Sequence, residues 1–184
     1  MSAGRIGCMT TPAQGARIPD GALFACDNSR FGSDGKGRYW PGAEAWFDWL
    51  IRTVHRYGPD RCLWALAPDQ PFDAAATLTQ SLPWLARIRE LGVPAAYAAQ
   101  DGCEEPGLLP WDAFDILFLA GSTEWKLGPV AERLAREAKA RAARPCTWGA
   151  STPVSAWGSP SGSAATPPTE CIWRTGPTRT CPGF

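Results

Sequence analysis

The sequence predicts an α/β protein organised on a parallel sheet, and three observations predict it. Short apolar runs alternate along the chain with stretches of helical periodicity, and parallel strands need a crossover of that kind for every return. The run Ile116 to Ala120 carries no charge and stops at Gly121, as expected of a strand buried on both faces. Each run also ends in a polar group, at Asp27, Asp69, Gln100 and the Gly121 loop. In parallel α/β folds ligands gather at the carboxyl ends of strands, so these groups fall on one prospective rim.

Taken in order, Ile6 to Met9 is a short apolar piece read as a first strand, followed by a Thr-Thr-Pro loop. ALFACDNSRFG, Ala22 to Gly32, is the next run, ending in Asp27, Asn28 and Ser29, with Asp27 and Asn28 closing the strand. The carboxylate there suits acid/base work or the capping of a turn. Gly32 to Gly42 is Gly-rich and polar, read as a ligand-covering loop. The helix-like EAWFDWLIRTVHRY follows; His55 stands near its end beside Arg52 and Arg56 and is read as exposed, not as half of a nucleophile dyad.

RCLWALAPD, Arg61 to Asp69, is a third buried run, ending in Pro68 and Asp69, with an amphipathic segment from Asp73 to Leu91 behind it. Ser81 and Pro83 interrupt that segment, and predict one helix ending there and a second, PWLARIREL, starting at Pro83 and stopping at Gly92. Trp84, Leu85, Ile88 and Leu91 form the core-facing stripe of this second piece. VPAAYAAQDG, Val93 to Gly102, is another buried run and the fourth strand, which Gln100 and Asp101 end; an amide both donates and accepts, which suits the edge of a nucleobase or a routine turn. After Gly121 come Ser122, Thr123, Glu124 and Lys126, placed where a ligand would be held, with an ion pair between Glu124 and Lys126 under Trp125 as one reading. Pro129 then opens a helix at a favourable first-turn position.

The chain has 184 residues, 18 basic and 18 acidic, so no strong field advertises a nucleic-acid surface. No run approaches the roughly 20 apolar residues of a membrane span, and no signal peptide is recognisable at the N-terminus. A cytoplasmic protein with no membrane contact is expected. Seven cysteines without a Cys-x-x-Cys pair in the body predict buried reduced thiols at Cys8, Cys26 and Cys62, with no metal site and no cofactor.

After Arg141 the language changes: residues 142–184 contain no Leu, Lys or Asp, and three Trp appear among Pro, Ser, Thr and Gly. This boundary separates a body, 1–141, from a tail that is irregular, disordered or frameshifted. The frameshift reading rests on PCTWGASTP, Pro145 to Pro153, whose codons permit Val-His-Met-Gly-Arg-Val-Asn-Ser when read from the third base of the proline codon. SAATPPTECIW, Ser163 to Trp173, permits Gly-Cys-Asp-Ser-Ala-Asp-Gly-Met-Tyr-Leu in the same frame.

The body resembles the deazapurine-in-DNA proteins, phage and bacterial relatives of tRNA-guanine (queuine) transglycosylase. The resemblance is carried by ACDN at Ala25 to Asn28, APD at Ala67 to Asp69, DAAATL at Asp73 to Leu78, AAQDG at Ala98 to Gly102, PWDAFDILFLAGSTEWKLG at Pro110 to Gly128 and EAKAR at Glu137 to Arg141. It implies a TIM-type (β/α)8 barrel, here partial (truncated). It also implies a glycosyltransferase that exchanges guanine in DNA or tRNA for a 7-deazaguanine, with a nucleic acid and a 7-deazaguanine base as partners.

By position Asp27 looks like the catalytic acid/base aspartate and Asp69 like the aspartate that binds the base. Gln100 looks like the amide reading the base edge, Gly121 like a backbone donor beside it, and Asn28 and Ser122 like further substrate-binding residues. The family's nucleophilic aspartate would fall in the Asp-Ser-Ala-Asp-Gly segment, present only in the shifted frame, so the chain as written is expected to be impaired or inactive. Two alternatives stand beside this: a non-catalytic nucleobase- or partner-binding module, and a barrel hydrolase using Asp27 and Glu124 as its carboxylate pair. An open partial barrel would leave two strand edges and an apolar interior uncovered, so the chain is expected to be unstable, oligomeric through those edges or dependent on its tail for cover.

Overall fold

The computed structural model describes residues 7–14, 17–31, 40–142 and 172–174. Five parallel strands, β1 (Gly7–Thr10), β2 (Leu23–Cys26), β3 (Cys62–Leu66), β4 (Ala95–Ala99) and β5 (Ile116–Leu119), lie side by side in chain order. A sixth, β6 (Ile172–Arg174), pairs antiparallel with β5. The remainder of the stretch read as an irregular or frameshifted tail lies outside the described residues, as does the Gly-rich loop apart from Trp40–Gly42.

The helices α1 (Ala43–Tyr57), α2 (Ala74–Glu90) and α4 (Pro129–Ala142) all send their apolar stripes into one cluster, against Phe24, Cys26, Ala65, Tyr97, Ala99, Leu117 and Leu119 of the strands. Period-two alternation then sends Ala25, Trp64, Leu66, Ala96, Ala98, Ile116 and Phe118 to the opposite face. The helices therefore cover a single side of the sheet, while the other side carries its own apolar cluster. All seven of its residues are buried. The bulky Trp64 and Phe118, with ring centroids 5.6 Å apart, share that side with three alanines, so large groups fill space that small ones leave.

Two expectations for the segment after β3 need correction. α2 is one continuous helix with Pro83 inside it, and Ser81 does not cap anything. Pro83 and Thr79, whose carbonyl loses its helical partner, are both exposed, so water can satisfy the freed group. Ser81 is buried and donates from Oγ to the carbonyl of Pro68 at 2.6 Å. The true cap is Asp73, which accepts from Ala76 N at 2.9 Å. Gly92, at φ 80°, ends the helix where the sequence placed the stop.

The end of the sheet away from the candidate rim is tied by Asp115, which takes both Arg89 Nε and Nη2 at 3.0 Å and the Ala95 N–H at 2.8 Å. Cys8, Cys26, Cys62 and Cys103 are free thiols. The hydrogen bond between Cys26 and Cys62, with burial, pushes the Cys26 thiol far above its ordinary value, so it stays protonated. No helix among the described residues is long and apolar enough to cross a membrane.

Candidate functional site

Because the strands are parallel and in chain order, the loops after β2, β3, β4 and β5 open on the same edge. They surround a cavity of about 360 Å³ lined by Asp27, Asn28, Asp69, Gln100, Gly121 and Ser122, with Phe31, Phe72, Thr123 and Lys126 among its other walls. All six residues singled out in the sequence thus meet at one cavity. That volume lies near the lower end of the roughly 300–1,000 Å³ usual for small-molecule pockets.

Asp69 is the centre of the arrangement. Its loop is clamped to α2: Thr77 Oγ1 accepts from Gln70 N and donates to Gln70 O, both at 2.9 Å, while Ser81 holds Pro68. The Asp69 side chain, 5% exposed, receives Asn28 Nδ2 on Oδ1 at 2.8 Å and Gln100 Nε2 on Oδ2 at 2.6 Å. Burial is the largest influence on its acidity and raises it; the Asn28 amide, the Gln100 amide and the Arg30 charge pull back, the Asp27 charge adds to the rise, and the carboxyl is pushed up to about 6.

Both amide hydrogens of Asn28 are used within the protein. Its Nδ2 also donates to Ala67 O at 2.8 Å and its Oδ1 accepts from Arg30 N at 2.8 Å. Asn28 therefore orients Asp69 and shapes the loop. Asp27 is half-buried, accepts from Ser29 N at 2.6 Å, and is raised by burial with a smaller opposing pull from that N–H. Ser29 takes a φ of 63° to make the turn, and its buried Oγ has no partner among the described residues.

Gln100, 1% exposed, is pinned at both ends of its amide, since Oε1 accepts from Phe72 N at 3.0 Å. One Nε2 hydrogen is left over after Asp69 is served. Phe72 itself sits at φ 65°, a left-handed backbone unusual for a bulky residue, and is 54% exposed. Its ring meets Phe31, 62% exposed, edge to face at 5.8 Å. Both rings line the cavity, and no sequence signal marked them: an isolated Phe in a loop has no periodicity to read.

The β5 loop departs from expectation. The Gly121 N–H, expected to face a ligand, donates to Ala99 O at 3.1 Å beside the Ala120 N–H at 2.9 Å. Glycine is required here for space: a Cβ would lie 2.5 Å from Asp101 Oδ2 and 2.6 Å from the Trp125 ring. Asp101 grips the loop by accepting Ser122 N at 2.7 Å and Ser122 Oγ at 2.6 Å. Ser122 in turn caps the short helix α3 (Thr123–Lys126) through Trp125 N at 3.2 Å. Asp101, noted in the sequence only as a strand end, is the residue that holds this loop. Gly121→Ala should displace the Asp101 carboxylate and cost about 1–3 kcal/mol; thermal unfolding of the variant beside Gly121→Ser, expected to be no better tolerated, checks this.

No protein-family model, curated protein or solved structure matches this chain. Its chemistry is accordingly read from the cavity. Among the described residues no group of three or more His, Cys, Asp and Glu could hold a metal ion. Glu124, paired with Asp27 in the hydrolase alternative, is exposed and does not line the cavity, and Trp125 Nε1 reaches Glu104 at 3.4 Å instead. His55 is exposed on α1, away from the cavity lining.

Proposed function

We propose that the cavity binds a guanine-type base and that the protein is a transglycosylase-like member of the group that exchanges guanine for a 7-deazaguanine in DNA or tRNA. The observation that carries this is Asp69. Each oxygen already accepts one amide hydrogen, which leaves each a second acceptor direction, and two parallel acceptors match the N1–H and exocyclic amine of guanine. The spare Nε2 hydrogen of Gln100 suits the neighbouring carbonyl. Adenine offers a single donor group on that edge, the N6 amine, beside an acceptor at N1, so it would satisfy one Asp69 oxygen and leave the other without a partner. Exposed aromatic rings at Phe31 and Phe72 suit the flat faces of a base.

A partial (β/α)8 barrel is the architecture we assign to the sheet. Strands in chain order with every long helix on one side support it, since a doubly wound sheet reverses its order and carries helices on both faces. In that setting Asp27, its carboxyl held above the usual range, serves as the acid/base group. Asp27 and Asp69 are the only carboxylates lining the cavity among the described residues. With Asp69 engaged by the base, a double displacement at the sugar needs a nucleophile from elsewhere. That favours, as second reading, a module that recognises the base without exchanging it.

Titration calorimetry with guanine, 7-deazaguanine and adenine tests the recognition step. Binding of the first two and not of adenine is expected; equal binding of adenine, or of none, overturns the assignment. Incorporation of labelled guanine into DNA and into tRNA then separates exchange from recognition alone.

A further inference from the structure

We propose that Phe72 is a stacking platform for the nucleotide next to the target guanine, so that the cavity takes its base from a strand whose neighbouring base is unpaired and splayed away. The inference rests on the guanine-type reading of the cavity. It comes from the angle between two rings. Phe31 and Phe72 both line the cavity, yet keep 62% and 54% of their surface in solvent. Their planes stand at 86°, edge to face, with centroids 5.8 Å apart. A flat base can lie parallel to one of two perpendicular rings and not to both, so one ring is left for a second flat group. That ring is Phe72. Its N–H is bonded to Gln100 Oε1 at 3.0 Å, and Gln100 in turn holds Asp69. Groups that read the edge of a base lie in its plane, so a ring anchored to them stands beside the base and leaves the face to Phe31.

The backbone of Phe72 is fixed in advance. A φ of 65° in a bulky residue persists only where the surroundings over-determine it. Here Gln100 holds the N–H on one side, and on the other Asp73 caps α2 while its own N–H reaches Gln70 O at 3.2 Å. The side chain gains no burial in return, which marks the strained conformation as one kept for a contact outside the protein. Arg30 joins the same two loops, donating from Nη2 to Gln70 Oε1 with its guanidinium 5.4 Å from the centroid of the Trp40 ring. A positive charge beside two flat platforms suits the phosphate that links two nucleotides. A base stacked on Phe72 lies at nearly a right angle to one stacked on Phe31, so the two neighbours cannot be stacked on each other.

The test is calorimetry on the full chain with two DNA trinucleotides, one carrying guanine between thymines and the other carrying it between abasic sugars, and with free 7-deazaguanine as the reference for the pocket. The unaltered protein should bind the first strand about 10-fold or more tightly than the second. Phe72→Gly removes the ring and accepts the left-handed backbone without strain, and should bring that ratio close to one. Phe72→Trp should keep it, with far-UV circular dichroism reporting that each variant is folded. A ratio near one in the unaltered chain, or one unchanged in Phe72→Gly, overturns the inference while leaving the pocket standing, provided 7-deazaguanine binds the unaltered chain. Failure of that reference base to bind overturns the pocket, and the platform with it.

Discussion

Asp69→Asn is expected to weaken guanine binding at pH 7.5 by about 100-fold or more, and at the same pH to raise the melting temperature. The first effect follows from the loss of two hydrogen bonds to a charged acceptor, each worth roughly 1.5–3 kcal/mol. An asparagine offers one oxygen and turns its amine toward a donor. The second follows from burial. The Asp69 carboxyl, ordinarily near 3.8, is raised to about 6 in the folded protein. Between those values the folded chain holds a proton that the unfolded chain has released. The stabilisation linked to that proton is complete below about 3.8 and is lost as pH rises through about 6. At neutral pH the charged form thus carries a penalty on the order of 3 kcal/mol. Asparagine removes it but turns an amine toward the Asn28 or Gln100 N–H, a buried mismatch that gives back about 1–3 kcal/mol, so the expected rise is small.

Scanning calorimetry between pH 4 and 8 should show the variant's advantage above pH 6 and its disappearance toward pH 4. In the unaltered protein, guanine affinity should fall as pH drops below about 6, because protonation occupies an acceptor. A flat affinity profile over that range would mean that Asp69 does not hold the base.

Trp46→Ala is the largest expected stability loss, about 3–5 kcal/mol. Trp46 is fully buried on α1, with Trp84 of α2 edge to face at 6.1 Å and Phe47 at 6.0 Å. Its Nε1 has no partner among the described residues, so the loss is one of packing alone. Trp46→Phe should accordingly recover most of it. Urea unfolding monitored by circular dichroism should show the midpoint falling with little change in slope. A loss under about 1 kcal/mol would mean that the site collapses around the smaller residue.

The strands and the rim were legible because both signals are local. A charge-free run such as Ile116 to Ala120 and a polar residue directly after it need no knowledge of partners. Pro83 misled because its effect depends on whether Thr79 O faces water, which the helix's tertiary setting decides. Gly121 was marked correctly as a special position and given the wrong reason: the constraint is the Asp101 carboxylate and the Trp125 ring, contacts made across the rim. Phe31 and Phe72 were invisible because their meeting joins loops separated by a whole strand and helix.

The clamp that Thr77 and Ser81 place on the Pro68–Gln70 loop ties the cavity wall at Asp69 to the first half of a helix none of whose residues lines the cavity. Half of that helix's turns therefore serve as the foundation of the pocket. On the proposed reading of the cavity, fraying of α2 from its Asp73 end would release the carboxylate that accepts from the base, so local melting there and loss of binding are expected as one event.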